Sequence, residues 1–217
     1  MTDYSAMRRH MVEGQVRTSD VTMGGLVQAM RDIPRELFLP KAKRAQAYSD
    51  SHVELTEGRW LLRPRDFAKL LQAMEPRKTD IALNLASGRG YSCAVLASLV
   101  ETVVGVEPDT AMLEKSSASL DHIGADNAVV IEGDIKNGAP DQGPFDLILV
   151  DGAVAAPSRS WFDQLSDGGR LGVFEMVNGA GRAVLYRRDG GAVGRRELFD
   201  AQPPLLPGFE PEPSFVF

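Results

Sequence analysis

The chain has 217 residues, 43% of them hydrophobic and 25% charged, with a formal net charge of −6, one cysteine and three histidines. That length suits one domain with a full core, the composition excludes disorder as a description of the whole, and the charge gives no general attraction to nucleic acid or an anionic membrane. Cys93 alone makes no disulfide framework or zinc cluster, His10, His52 and His122 lack ligand spacing, and no apolar run approaches the ~20 residues that span a bilayer, so a cytoplasmic protein without a metal is expected.

In chain order, residues 1–79 read as a mainly helical extension. Met23, Leu26, Val27 and Met30 fall at helical spacing behind Asp20, a candidate N-cap, and Phe67, Leu70, Leu71 and Met74 repeat the spacing. From Asp80 the pattern changes to short apolar runs separated by helical stretches: IALNL, then YSCAVLASLVE; TVVGVE, then PDTAMLEKSSASLDHIG; NAVVIEGD; FDLILVD, then a helix around SRSWFDQLS; and RLGVFEMV. Strands alternating with helices of this length predict an α/β fold with right-handed crossovers and a parallel sheet covered on both faces. RAVLYRRDGGAVGRRELF reads as a C-terminal antiparallel hairpin reversing at Asp189 and Gly190, and PPLLPGFEPEPSFVF as an irregular tail lying on the core.

The chemistry is expected where the first strand turns into its helix. Ser87, Gly88 and Gly90 are small enough for close approach, but the glycines do not fall in the frame of a dinucleotide loop, which disfavours a dehydrogenase. Three acids sit at or near the ends of successive strands: Glu107, Asp134 and Asp151. A carboxylate at the end of the second strand can accept both hydroxyls of a ribose. Three of them along one sheet edge, with only Arg89 nearby to meet phosphate, suit S-adenosylmethionine better than a phosphate-bearing nucleotide. Each acid taken singly is equally well a turn or cap residue.

These blocks, in this order, resemble the protein-L-isoaspartate O-methyltransferase family. The similarity runs through MVEGQVRTSDVTMGGLVQAMRDIPRELFLPKAKRAQAYSD, GYSCAVLASL and GPFDLILVDGAVAAPSRSWFDQLSDGGRL. It implies a seven-stranded, Rossmann-like methyltransferase sheet with extra N-terminal helices. It also implies S-adenosylmethionine as cofactor and a protein or peptide carrying an isoaspartyl residue as substrate; the sequence leaves the oligomeric state open, with a monomer expected. The cofactor residues expected on that basis are Asn84, Ala86, Ser87, Gly88, Gly90, Glu107, Asp134 and Asp151.

Two departures stand out. The family's loop usually reads Glu, Ile, Gly, Thr, Gly, Ser, Gly; here Asn84 replaces its acid and Ala86 its first glycine, which adds a methyl where close approach or an unusual backbone angle is needed. A family segment like Gly-Gln-Thr-Ile-Ser-Gln-Pro is Gly58 to Pro64 here, and Leu62 stands at the serine. Asp50 and Arg63 are the remaining candidates to organise the substrate. Arg59, Arg63 and Arg65, interleaved with Trp60, read either as a solvated basic face or as a clamp for an anionic substrate, and Cys93 reads as a buried small hydrophobe. A methyltransferase with another acceptor, and a binding protein of this fold that has lost catalysis, stay open as alternatives.

Overall fold

The computed structural model describes residues 3–177 and 179–211, so residues 212–217 of the tail lie outside the described residues. Its centre is a seven-stranded sheet in the order β5-β4-β3-β6-β7-β8-β9. The strands are β3 (Ile81–Leu85), β4 (Thr102–Glu107), β5 (Ala128–Glu132), β6 (Phe145–Val154), β7 (Leu165–Val177), β8 (Ala180–Asp189) and β9 (Ala192–Asp200). β5, β4, β3, β6 and β7 pair in parallel, and β7, β8 and β9 form an antiparallel meander. The chain moves outward from β3 in one direction and returns to its other side with β6. The crevice beyond the carboxyl ends of β3, β4 and β6 is therefore the place where such sheets hold ligands.

Strand alternation divides the interior. Ala82, Val103, Leu147 and Leu149 face one apolar cluster, while Leu83, Leu85, Val104, Val106 and Ile148 face the other. The first cluster takes in α4 (Tyr91–Ala97) and α5 (Thr110–Ile123), which carry the crossovers on that side, and the N-terminal elements. The second lies under α6 (Arg159–Asp163), with Trp161 fully buried. α5 is bounded as its sequence requires: Asp109 accepts from the N–H groups of Ala111 and Met112 at 2.9 and 3.1 Å, and Gly124 closes it in the left-handed region.

The N-terminal part is helical in α1 (Tyr4–Met11), α2 (Gly24–Asp32) and α3 (Pro64–Ala73), linked by π and 3₁₀ turns. Leu26, Val27, Met30, Phe67, Leu70, Leu71 and Met74 are buried in the first cluster, as their spacing predicts. Asp20 does not cap α2. It ends the preceding 3₁₀ turn at φ 62°, and the N–H groups of Thr22 and Met23 instead donate to Gln72 Oε1 on α3, at 2.7 and 2.9 Å. One element was not anticipated: β1 (Val53–Thr56) and β2 (Arg59–Leu61) form an antiparallel hairpin ahead of α3.

Candidate active site

β3 delivers the chain into a tight turn. Ala86, Gly88 and Gly90 all have positive φ, at 58°, 58° and 90°. Ala86 therefore holds the backbone angle that glycine adopts without strain. The close approaches at the other two come from the protein itself. A Cβ on Gly88 would lie 2.8 Å from Leu55 of β1, and one on Gly90 would collide with Ser116 of α5. Ser87 is buried, and its N–H donates to the Val106 carbonyl at 3.1 Å.

Glu107 ends β4, fully buried, and its carboxylate is saturated. Arg59 of β2 donates through both terminal nitrogens, each at 2.6 Å, one to each oxygen. The N–H groups of Gly88 and Asp109 add bonds of 2.6 and 3.1 Å. Arg59 is itself only 6% exposed, so the pair is desolvated on both sides. Such a fork is among the stronger arrangements available to a carboxylate.

Asp151 does not end its strand; β6 continues to Val154. The side chain is buried beside the turn, where Ser92 Oγ donates to Oδ1 at 2.9 Å and Asn84 Nδ2 to Oδ2 at 3.2 Å. Burial pushes its pKa up to about 6, against the pull of Ser92 and Asn84 and the fields of Arg59 and Arg35. Asn84 completes a chain of contacts by accepting from the Cys93 thiol at 3.2 Å, and burial raises that thiol's pKa. The asparagine at 84 has a physical reason here, because a carboxylate in its place would face Asp151 in a dry interior.

Asp134 does not join this group. It is exposed, two residues beyond β5, where its side chain accepts from the Lys136 N–H at 2.9 Å and its carbonyl from those of Asn137 and Gly138. That is a turn residue's set of bonds. Glu107 and Asp151 share the field of Arg59, and Asp134, just past the carboxyl end of β5, makes only turn bonds among the described residues.

The segment from Arg59 to Arg65 forms neither a solvated basic face nor a free clamp. Arg59 is taken by Glu107. Arg63 grips both oxygens of Asp50, through Nε at 2.6 Å and through Nη2, and this pair holds the Asp50 pKa below the ordinary carboxylate value. Arg65 lies against Asp66 at 3.3 Å. His52 accepts from the Arg63 N–H through Nδ1 at 2.9 Å, and burial lowers its pKa, which favours the neutral ring. Leu62 is buried in the larger cluster, and its carbonyl accepts from Arg35, a fully buried guanidinium that lies 4.6 Å above the Tyr91 ring.

The tail completes the enclosure. Pro204 and Ala153 exchange backbone bonds with their neighbours across the end of β6, Ala153 N–H to the Pro204 carbonyl at 3.0 Å and Leu206 N–H to the Ala153 carbonyl at 2.8 Å. A Cβ on Gly152 would lie 2.6 Å from Leu206, and one on Gly58, at the tip of the β1–β2 hairpin, 2.7 Å from Pro207. Hairpin and tail therefore meet over the crevice. In this conformation Arg59 takes both oxygens of the strand-end carboxylate, so a ribose of S-adenosylmethionine would have to displace that guanidinium to be held there.

Sequence reasoning missed Arg59 as the partner of Glu107, and Ser92 as a donor to Asp151. Ser92 had a signal, since a polar residue just inside an otherwise apolar helix start needs a partner. Arg59 had none, because its partner is 48 positions away.

The order and direction of the strands, with an acid at the end of β4 beside a turn of positive φ, define a doubly wound sheet of the nucleoside-binding kind. Among solved structures, one named protein-L-isoaspartate O-methyltransferase superposes with a TM-score of 0.80 at 22% identity, covering 95% of this chain and 66% of its own. A proposed β-aspartate methyltransferase from Plasmodium falciparum, in complex with S-adenosyl-L-homocysteine, gives 0.79 at 16% identity over 95% and 99%. The protein-L-isoaspartate O-methyltransferase of Roseiflexus castenholzii is 34% identical over 212 residues, 95% of this chain and 94% of its own. That of Methanoculleus marisnigri is 35% identical over 164 residues, 76% and 74%. Residues 6–196 match the family Protein-L-isoaspartate(D-aspartate) O-methyltransferase, and the chain belongs to it.

Proposed function

We propose that the chain is an S-adenosylmethionine-dependent O-methyltransferase that methylates an isoaspartyl carboxylate in a protein or peptide, and that Arg59 must leave Glu107 before the nucleoside enters. The observation that carries this reading is the bonding of Glu107. Gly88 and Asp109 fix the carboxylate through backbone N–H groups, and Arg59 adds two parallel donors from one planar group. A ribose diol presents the same pattern of two adjacent donors. Arg59 thus stands where a diol would be held, and the resembling family segment has a shorter, neutral glutamine at that place.

The loss of the family serine at Leu62 is compatible with this chemistry. A substrate carboxylate with an ordinary pKa of about 4 is ionised at neutral pH and needs no general base. What the protein contributes is alignment and exclusion of water. Leu206, packed over Gly152, supplies an apolar wall for that purpose.

Calorimetric titration with S-adenosylmethionine, paired with a base-labile methyl-ester assay on an isoaspartyl peptide, tests the reading in the wild type and in Arg59→Gln. Binding should tighten by about tenfold or more in the variant, as expected when a competing charged pair is removed, and ester formation should rise with it. No heat with either protein at millimolar cofactor would overturn the assignment, as would binding without ester.

A further inference from the structure

A second groove, of about 350 Å³, lies outside this crevice between the 3₁₀ segment Lys41–Gln46, the glycine turn and the outer side of α5. Lys41, Arg44, Arg89, Lys115 and His122 line it, and among the described residues no carboxylate does; Glu114 and Asp121, the acids of α5, are not among its walls. Among the described residues none of Lys41, Arg44, Arg89 and Lys115 takes part in an ion pair. The Nε atoms of Arg44 and Arg89 are both buried and have no hydrogen-bond partner among the described residues.

This arrangement is costly as it stands. Unpaired buried donors lose their hydration with nothing in return, and two guanidinium groups set together repel. Burial, followed by the field of Arg44, lowers the pKa of Arg89. In a chain of net charge −6, where the arginines between 59 and 65 each have a carboxylate, four unpaired cations around one groove run against the general pattern.

We propose that this groove binds a di- or triphosphate group, with Arg44 and Arg89 as its principal donors and Lys41 and Lys115 at the rim. A single carboxylate brings one charge and two oxygens, too little for four cations. A diphosphate brings several charges and terminal oxygens on two tetrahedral centres, which suits two guanidinium forks and two mobile ammonium groups. The group can belong to a free oligophosphate or to a nucleoside triphosphate. Arg89 sits between Gly88 and Gly90, so the bound anion would also bear on the turn whose Gly88 N–H holds Glu107.

The test is isothermal titration of the full chain with tripolyphosphate and, separately, with ATP, at constant ionic strength. The wild type should bind one equivalent saturably. Arg44→Ser combined with Arg89→Ser should weaken binding by about tenfold or more, and Arg187→Ser, a distant exposed cation on β8, should leave it unchanged. Equal affinity for the two ligands assigns the site to the phosphates alone, while tighter ATP binding assigns it to a nucleoside polyphosphate. Should the double variant fold poorly, Lys41→Ser with Lys115→Ser and protection of Arg44 and Arg89 from phenylglyoxal by the ligand provide the same reading. Unsaturable heat, loss equal to that in Arg187→Ser, or no protection would overturn the proposal.

Discussion

Asp151 carries the clearest consequence of a single environment. Its pKa is about 6 in the folded chain against 3.8 for an ordinary aspartate, because burial disfavours the charge. Between those values the folded state binds more protons than the unfolded one. The contribution is therefore fully present below about pH 4 and is lost as the pH rises through about 6, by about 3 kcal/mol at most. Asp151→Asn removes the titration, so urea unfolding at pH 4 and pH 7.5 should show the variant gaining on the wild type by up to about that amount at the higher pH. A constant difference across the range would mean that Asp151 does not titrate there. Ala86 offers a second test. Its φ of 58° costs an L-residue roughly 1–2 kcal/mol, partly offset by the entropy that a glycine loses, so Ala86→Gly should stabilise the chain by about 0.5–1 kcal/mol in the same assay.

Legibility at this scale followed sequence distance. The oddity of Asn84 and Ala86 shows against the family loop; the structure gives Asn84 a reason in the Asp151 contact, while the positive φ at 86 accounts for the family's glycine and not for the alanine. The roles of Asp134 and Arg59 do not show. An acid after a strand looks the same whether it faces a ligand or closes a turn, and only the hairpin's placement decides that the charge of Arg59 is buried.

Among elements, the parallel strands were readable because both faces of the sheet are covered, which forces continuous apolar runs such as IALNL and FDLILVD. β1 and β2 have four and three residues, too short for the alternation in VELT to mark a strand, and neither contains a long apolar run. The start of α2 is a similar case, since it has no side-chain cap and the two residues ahead of its first turn are held from α3. Gln72→Ala, which removes the acceptor of two backbone N–H groups, should cost about 1 kcal/mol, the usual net value of a hydrogen bond, whereas Asp20→Gly should be close to neutral; thermal melts of both variants distinguish the tertiary anchor from a local cap.

For the whole molecule, the two ends of the sheet are tied in different ways. At the amino end, Arg170 of β7 reaches the carbonyls of Met74 and Glu75 and pairs with buried Asp80, just ahead of β3. Removing one member leaves an uncompensated buried charge, so Arg170→Ala should destabilise by about 3–5 kcal/mol in chemical denaturation. At the carboxyl end the closure is an apolar cover laid by the hairpin and the tail. Leu206→Ala should cost about 2–5 kcal/mol and open the space in front of Gly152, raising its susceptibility to limited proteolysis around Pro204.

The tail also gives the crevice a history within each molecule. A ribosome releases β6 before it releases the segment from Ala201 to Phe209, whose Pro204 and Leu206 bond to Ala153 near the end of that strand. Leu206, 2.6 Å from where a Cβ on Gly152 would lie, and Pro207, 2.7 Å from one on Gly58, are therefore the last parts of this cover to be synthesised. Loading the nascent protein and loading the completed one are thus different experiments, and adding ligand during cell-free synthesis compares them directly.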